Sequence, residues 1–243
     1  QKSHISFYNG ITSTEIQETL IKSAADLISE DTPNYQWVAG RLINYHLRKM
    51  VYNQFQPLPI KVIVEKNVEL GFYDAEILVK YTDEEWKQFD TIVKHERDEE
   101  MTYAAMEQWR GKYLVKNRVT GQIFETPQVA YLLIAATLFA EYPKETRMKY
   151  VKDYYDAIST FAISLPTPVM AGVRTPQRQF SSCVLIETGD SLDSINATTS
   201  SIVKYVSQKA GIGIGAGSIR ALGSPIRNGC LLYTSDAADD TRS

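Results

Sequence analysis

Cysteine is scarce: Cys183 and Cys230 are the only two in 243 residues. Two so far apart in the chain do not make a disulfide framework, which suits a reducing, cytoplasmic compartment. Histidine is scarcer than a metal site needs, since His4, His46 and His95 with those cysteines offer no zinc spacing. There is no lysine/arginine run, and a net charge of −3 argues against nucleic acid as a partner. The longest apolar run, Val129–Ala140, is too short to span a bilayer and contains a threonine, so no membrane partner is expected. No cationic leader opens the chain, no Gly-Lys-Ser/Thr phosphate loop occurs, and no internal repeat is visible. The chain opens on Gln1 rather than methionine and reads as a piece of a longer protein. What is present, 44% hydrophobic and 23% charged residues, is enough to build a substantial globular core.

Charge divides the chain. Residues 1–160 carry 42 of the 55 charged side chains, whereas residues 161–229 carry nine of them and eight of the 13 glycines. A solvated helical region passing into a buried, loop-rich one gives such a shift, which sets a boundary near Ser164–Pro168.

The first part reads as helices. Ile16, Leu20, Ile21, Ala24, Leu27 and Ile28 share one face at a 3.6-residue period, opened by a capping box from Thr12 with Glu15 or Thr14 with Gln17. Thr32-Pro33 begins a second helix with Val38, Leu42, Tyr45 and Val51 as its buried stripe. Thr126-Pro127 begins a strongly apolar third, stopped by Tyr142-Pro143. A fourth runs from Lys144 to about Thr160 with Tyr150, Tyr154, Ala157 and Ile158 inward. Residues 60–115 also read as helical, and His95–Glu100 as a solvated face or loop.

The second part changes character. Phe180–Ile186 suits a strand buried on both faces, and Leu192–Lys209 suits the helix that follows. Gly211-Ile-Gly-Ile-Gly-Ala-Gly217 then reads as a mobile glycine loop leading to Ser218–Arg227. Gly211-x-Gly213-x-x-Ala216 formally fits a dinucleotide fingerprint, but it follows a helix where the fingerprint must follow a strand. From Cys230 the text, CLLYTSDAADDTRS, reads as a translated transposase-type sequencing adapter, so residues 230–243 are set aside as a non-native tail. A genuine polar tail is the alternative.

Several ordered motifs carry a resemblance: Ser164–Pro168, Arg174–Cys183, Gly189–Asn196, Gln208–Ile214 and Arg220–Arg227. Over residues 1–229 the chain resembles the large, catalytic subunit of class I ribonucleoside-diphosphate reductase of the bacterial aerobic type. The resemblance implies a mixed α+β and α/β fold. Residues 1–52 would be the C-terminal half of an ATP-cone, 53–165 a helical domain, and 166–229 the first strand–helix–loop unit of a ten-stranded α/β barrel.

Its implications for the sites are specific. Cys183 would be one thiol of the pair that reduces the ribose 2′-position and ends as a disulfide. Thr167, Ser182 and Gly211 would hold the substrate, a ribonucleoside diphosphate. Asp190, Ser191 and Leu192 would meet the sugar of a deoxynucleotide effector, with Arg220 and Arg227 on its triphosphate. Ser13 and Lys49 fall at cone positions that contact nucleotide, and Gln17 stands where some relatives carry histidine. The glycine loop would reorder when the effector arrives.

The implied partners are ATP or dATP and other deoxynucleoside triphosphates with Mg2+, a second copy of the large subunit through the helix after Ser191, and thioredoxin or glutaredoxin. A small subunit containing a metal would supply the radical; no covalently bound cofactor is expected. The piece in hand, lacking the radical cysteine and the second redox cysteine, would not turn over by itself. Residue by residue there are plainer readings: a buried inert cysteine, solvated arginines, a rigid turn at Thr167, a helix cap at Ser13 and a solvent-facing Lys49. A rival for the whole is a nucleotide-binding regulatory or interaction module without chemistry.

Overall fold

The computed structural model describes residues 7–208, 210–227 and 230–231, with the backbone alone for 226–227 and 230–231. Two compact units divide between Phe180 and Ser181.

The first unit is helical. Thr12 caps α1 (Ser13–Ala25): its hydroxyl accepts from the Glu15 N–H at 3.2 Å, and the Glu15 carboxylate accepts from the Thr12 N–H at 2.8 Å. Packed on it, α2 (Tyr35–Tyr52) buries Ala39, Ile43, Leu47 and Val51, while Val38 and Tyr45 face outward. Of the expected stripe Val51 is buried and Leu42 half-buried, whereas Ala39 and Leu47 take the inward places expected of Val38 and Tyr45. Small Ala39 and Gly40 let the helix approach the backbone near Met101, where a Cβ on Gly40 would collide with the Met101 carbonyl oxygen.

Then come α3 (Ile60–Glu69), α4 (Glu76–Lys80) and α5 (Asp83–Ile92), the last opened by a second capping box from Thr82 and Glu85. The Glu85 carboxylate also takes both prongs of Arg147 at 2.6 and 2.5 Å, beneath the Tyr81 ring. A 3-10 turn, His95–Glu100, and α6 (Tyr103–Gln108) with one π turn lead to a hairpin closed by Lys116 and Ile123.

Thr126-Pro127 opens α7 (Pro127–Leu138), whose first ten residues are all buried and which forms the centre of the core. Against it lies α8 (Lys144–Ser159), burying Val151, Tyr155 and Ile158. Ile158 is buried as expected and Tyr154 and Ala157 are half-buried, but Val151 and Tyr155 lie deeper, because Tyr150 stays in an outer aromatic group with Phe139 and Tyr142.

The His95–Glu100 turn is solvated only in part: Glu96, Glu99 and Glu100 are exposed, and its other residues face inward to different depths. Asp98 is fully buried, accepting from Gln128 Nε2 at 3.0 Å, and the Arg48 guanidinium donates to the His95 carbonyl at 2.7 Å. Loss of water pushes the Asp98 carboxyl up to about 7 and the His95 imidazole down to about 4, the latter helped by Arg48.

The compact boundary falls later than Ser164–Pro168 because α9 (Thr167–Gly172) and the segment after it pack into the helical unit. Arg174, buried, donates to both carboxylate oxygens of Glu125, to the Met170 carbonyl at 2.6 Å and to the Tyr113 carbonyl at 2.9 Å. Tyr73 closes the same carboxylate at 2.5 Å, and Arg178 pairs with Asp74. A charged side chain so fully paired belongs to the interior it is paired in.

The second unit is strand–helix–strand: β1 (Cys183–Glu187), α10 (Leu192–Ser207) and β2 (Gly211–Gly215), with β1 and β2 parallel and Cys183 opposite Gly211. The Gly211–Gly215 stretch is thus a strand and not a mobile loop. It forms a full ladder with β1 because backbone N–H and C=O groups pair regardless of side chain. Nor is β1 buried on both faces: Cys183, Leu185 and Glu187 are exposed, and Val184 and Ile186 are half-buried. A short antiparallel pair, β3 (Pro225–Arg227) with β4 (Cys230–Leu231), follows. Residues 232–243 of the tail set aside above lie outside the described residues. Among the described residues no helix is long and apolar enough to cross a membrane.

Candidate functional site

Cys183 opens β1 as a free, exposed thiol. The Gly211 N–H donates to the Ser182 carbonyl at 2.8 Å, joining Ser182, Cys183 and Gly211 into one corner. A Cβ at Gly211 would stand 3.6 Å from the Cys183 sulfur; one at Gly213 would stand 2.6 Å from Leu185 Cδ2. In parallel strands facing residues share a face, so the side chains of Cys183, Leu185 and Glu187 lie over a floor of glycine backbone. The result is an open strip with an exposed sulfur at one end. The period-two alternation of Cys183, Leu185 and Glu187 was available in the sequence and would have found this face. Thr167, the remaining residue of the expected substrate set, is exposed at the first position of α9 in the helical unit.

Of the second set, Asp190, Ser191 and Arg220 lie together at the start of α10. Ser191 caps it, accepting from the Ser194 N–H at 3.1 Å, while the Gly189 N–H donates to Ser194 Oγ at 2.7 Å. Asp190, just outside the cap, meets Arg220 twice: Oδ2 accepts from Nε at 2.6 Å and Oδ1 from the backbone N–H at 3.2 Å. That N–H and the guanidinium hold the Asp190 carboxyl below the usual carboxylate range. Arg220 Nη1 also donates to the Pro225 carbonyl at 2.7 Å. Leu192 projects into solvent, 83% exposed. Arg227 lies in β3, and its side chain falls outside the described residues.

Ser13 and Lys49 share a cleft of about 450 Å³ between α1 and α2 with Gln17, His46 and Asn53. Lys49 Nζ lies 4.6 Å over the Tyr45 ring. Burial lowers the His46 pKa, with Arg110 adding to the effect against Glu18. His46 was missed in the sequence, although it stands one helical turn before Lys49. Among the described residues no group of three or more His, Cys, Asp or Glu is placed to hold a metal ion.

The helical unit followed by a parallel strand–helix–strand matches two family models that meet where the units do. Residues 99–178 match "Ribonucleotide reductase, all-alpha domain" and residues 181–231 match "Ribonucleotide reductase, barrel domain". The chain therefore belongs to the ribonucleotide reductase large-subunit family, as a helical region followed by the start of the barrel domain. It is 63% identical over 233 residues to ribonucleoside-diphosphate reductase 1 subunit alpha of Escherichia coli K12. To the alpha subunit of Haemophilus influenzae it is 61% identical, and to that of Enterobacteria phage T4 50%. These alignments cover 96%, 96% and 93% of this chain. The chain spans about 31% of the length of the first of these relatives.

Proposed function

We propose that this chain is part of the catalytic subunit of a ribonucleotide reductase that converts ribonucleoside diphosphates to deoxyribonucleoside diphosphates, feeding deoxyribonucleotide supply in the cytoplasm. The observation that carries the reading is Cys183, an exposed thiol beside Gly211 at the head of β1. Removing a ribose 2′-hydroxyl as water takes two electrons and two protons, and a thiol pair provides both as it closes to a disulfide. Cys183 is one of that pair in this reading, and thioredoxin or glutaredoxin reopens it.

Ser182 and Gly211 hold the substrate beside the sulfur, the one by its hydroxyl and the other by letting backbone approach, with Thr167 as a further contact. A radical is needed to start the reaction and is supplied by a small subunit containing a metal. Asp190, Ser191, Leu192, Arg220 and Arg227 bind a deoxynucleotide effector, and the cleft of Ser13 and Lys49 takes ATP or dATP. The exposed apolar face of α10 is the contact to a second large subunit.

The test is Cys183→Ser in the full-length enzyme. Multiple turnover with thioredoxin is expected to vanish while effector affinity is unchanged. Undiminished multiple turnover refutes the role.

A further inference from the structure

We propose that the Asp190–Arg220 pair is the specificity element of the effector site: it admits a nucleoside triphosphate and turns away bare polyphosphate. The inference rests on the effector-site reading above and adds what the ion pair itself does. In this chain the carboxylate that would meet the sugar already holds the arginine that would meet the phosphates, accepting from its guanidinium Nε at 2.6 Å and from its backbone N–H at 3.2 Å. Arg220 Nη1 is committed as well, to the Pro225 carbonyl. A phosphate that takes over Nε therefore displaces an internal anion.

The consequence depends on what else the ligand carries. A free polyphosphate that captures Arg220 strips Asp190 of its ion pair and sets its own charge against the released carboxylate, and like charges brought together cost affinity. A nucleoside triphosphate brings a sugar hydroxyl, which donates to the same carboxylate. Each partner of the broken pair then gains a new one, and the exchange balances. The pair is solvent-accessible on both sides, at 36% and 34% of side-chain surface, so it is weak enough to open. Asp190 thus screens for the sugar while holding Arg220 in place for the phosphates.

The experiment is calorimetry on the 243-residue chain with three probes: thymidine triphosphate, its 2′,3′-dideoxy analogue, and inorganic tripolyphosphate. Wild type is expected to favour thymidine triphosphate over both others. In Asp190→Asn tripolyphosphate should bind ~2–5-fold more tightly, the scale of releasing an exposed ion pair. Thymidine triphosphate should bind less tightly, so that the preference collapses. Asp190→Ser, checked like the first variant by circular dichroism, should behave in the same way. If wild type binds thymidine triphosphate, Arg220→Ala abolishes that binding, and yet tripolyphosphate affinity is unchanged in both Asp190 variants, the inference is overturned and the effector site stands. If wild type binds no thymidine triphosphate, or Arg220→Ala binds it normally, the effector-site reading fails and the inference falls with it.

Discussion

Asp98 and His95 sit three residues apart in one turn and pull the pH dependence of folding in opposite directions. Asp98, raised to about 7, keeps its proton in the folded chain after an unfolded chain has released it, so it makes stability fall as pH rises from about 4 to 7. His95, lowered to about 4, sheds its proton on folding, so it makes stability rise from about pH 4 to 6.5. Each slope approaches about 1.4 kcal/mol per pH unit, and in wild type they offset each other. Asp98→Asn should uncover a stability that climbs between pH 4.5 and 6, and His95→Gln one that declines. Urea unfolding followed by tryptophan fluorescence reports the helical unit, since Trp37, Trp86 and Trp109 all lie there. Parallel lines for the two variants would remove this account. Nothing in the string His-Glu-Arg-Asp-Glu-Glu signals that its fourth member is interior. Burial there is imposed by Gln128 and Arg48, thirty and fifty residues away in sequence, and local pattern does not carry such partners.

At the scale of elements, local chemistry was legible and facing was not. Thr12 with Glu15 and Thr126-Pro127 mark helix starts through groups within one turn, and both starts stand as read. On the faces expected to be buried in α2 and α8, Val51 and Ile158 are interior, but the large Val38, Tyr45 and Tyr150 turn outward. Small Ala39 and Gly40 in fact make the closest approach. Gly40→Ala separates the two kinds of information. Helix propensity alone forecasts a gain of up to ~1 kcal/mol. The Met101 carbonyl in the way forecasts a loss of about 1–3 kcal/mol, since backbone cannot swing aside as a side-chain end can. We expect the loss, read as a lower urea midpoint with an unchanged slope. The glycine alternation after α10 reads as a loop for a related reason. Glycine is depleted in strands, but its cost here is borne by a complete parallel ladder with β1.

For the molecule as a whole, the change in composition near residue 165 located a transition in chemistry and missed the compact boundary by about fifteen residues. Arg174 explains the gap: a charge this far along the chain looks like solvent-facing surface, yet Glu125 holds it in the interior of the helical unit. Which of the site residues group together was legible only through the family motifs, since Asp190 and Arg220 are thirty residues apart. The second unit exposes Leu192, Val203 and Val206 along α10 at 83%, 65% and 54%. An apolar face of this kind favours self-association. Sedimentation velocity should show association that grows with concentration and is lost in Val203→Glu/Val206→Glu. An unchanged sedimentation coefficient in that variant would place the contact elsewhere.

The glycine floor beneath Cys183 has a cost in uniqueness. Gly-Ile-Gly-Ile-Gly repeats itself every two residues, so sliding β2 by two positions along β1 puts glycine under glycine and isoleucine under isoleucine, with no face inverted. The strands themselves barely oppose such a slip. Alignment must come from the tether: the last turn of α10, where the Tyr205 carbonyl receives both the Gln208 and the Ala210 N–H groups, fixes where β2 begins. The sulfur's position relative to its glycine partner is therefore metered by helix length, and adding or removing a residue between Leu192 and Gln208 would move the whole floor past Cys183.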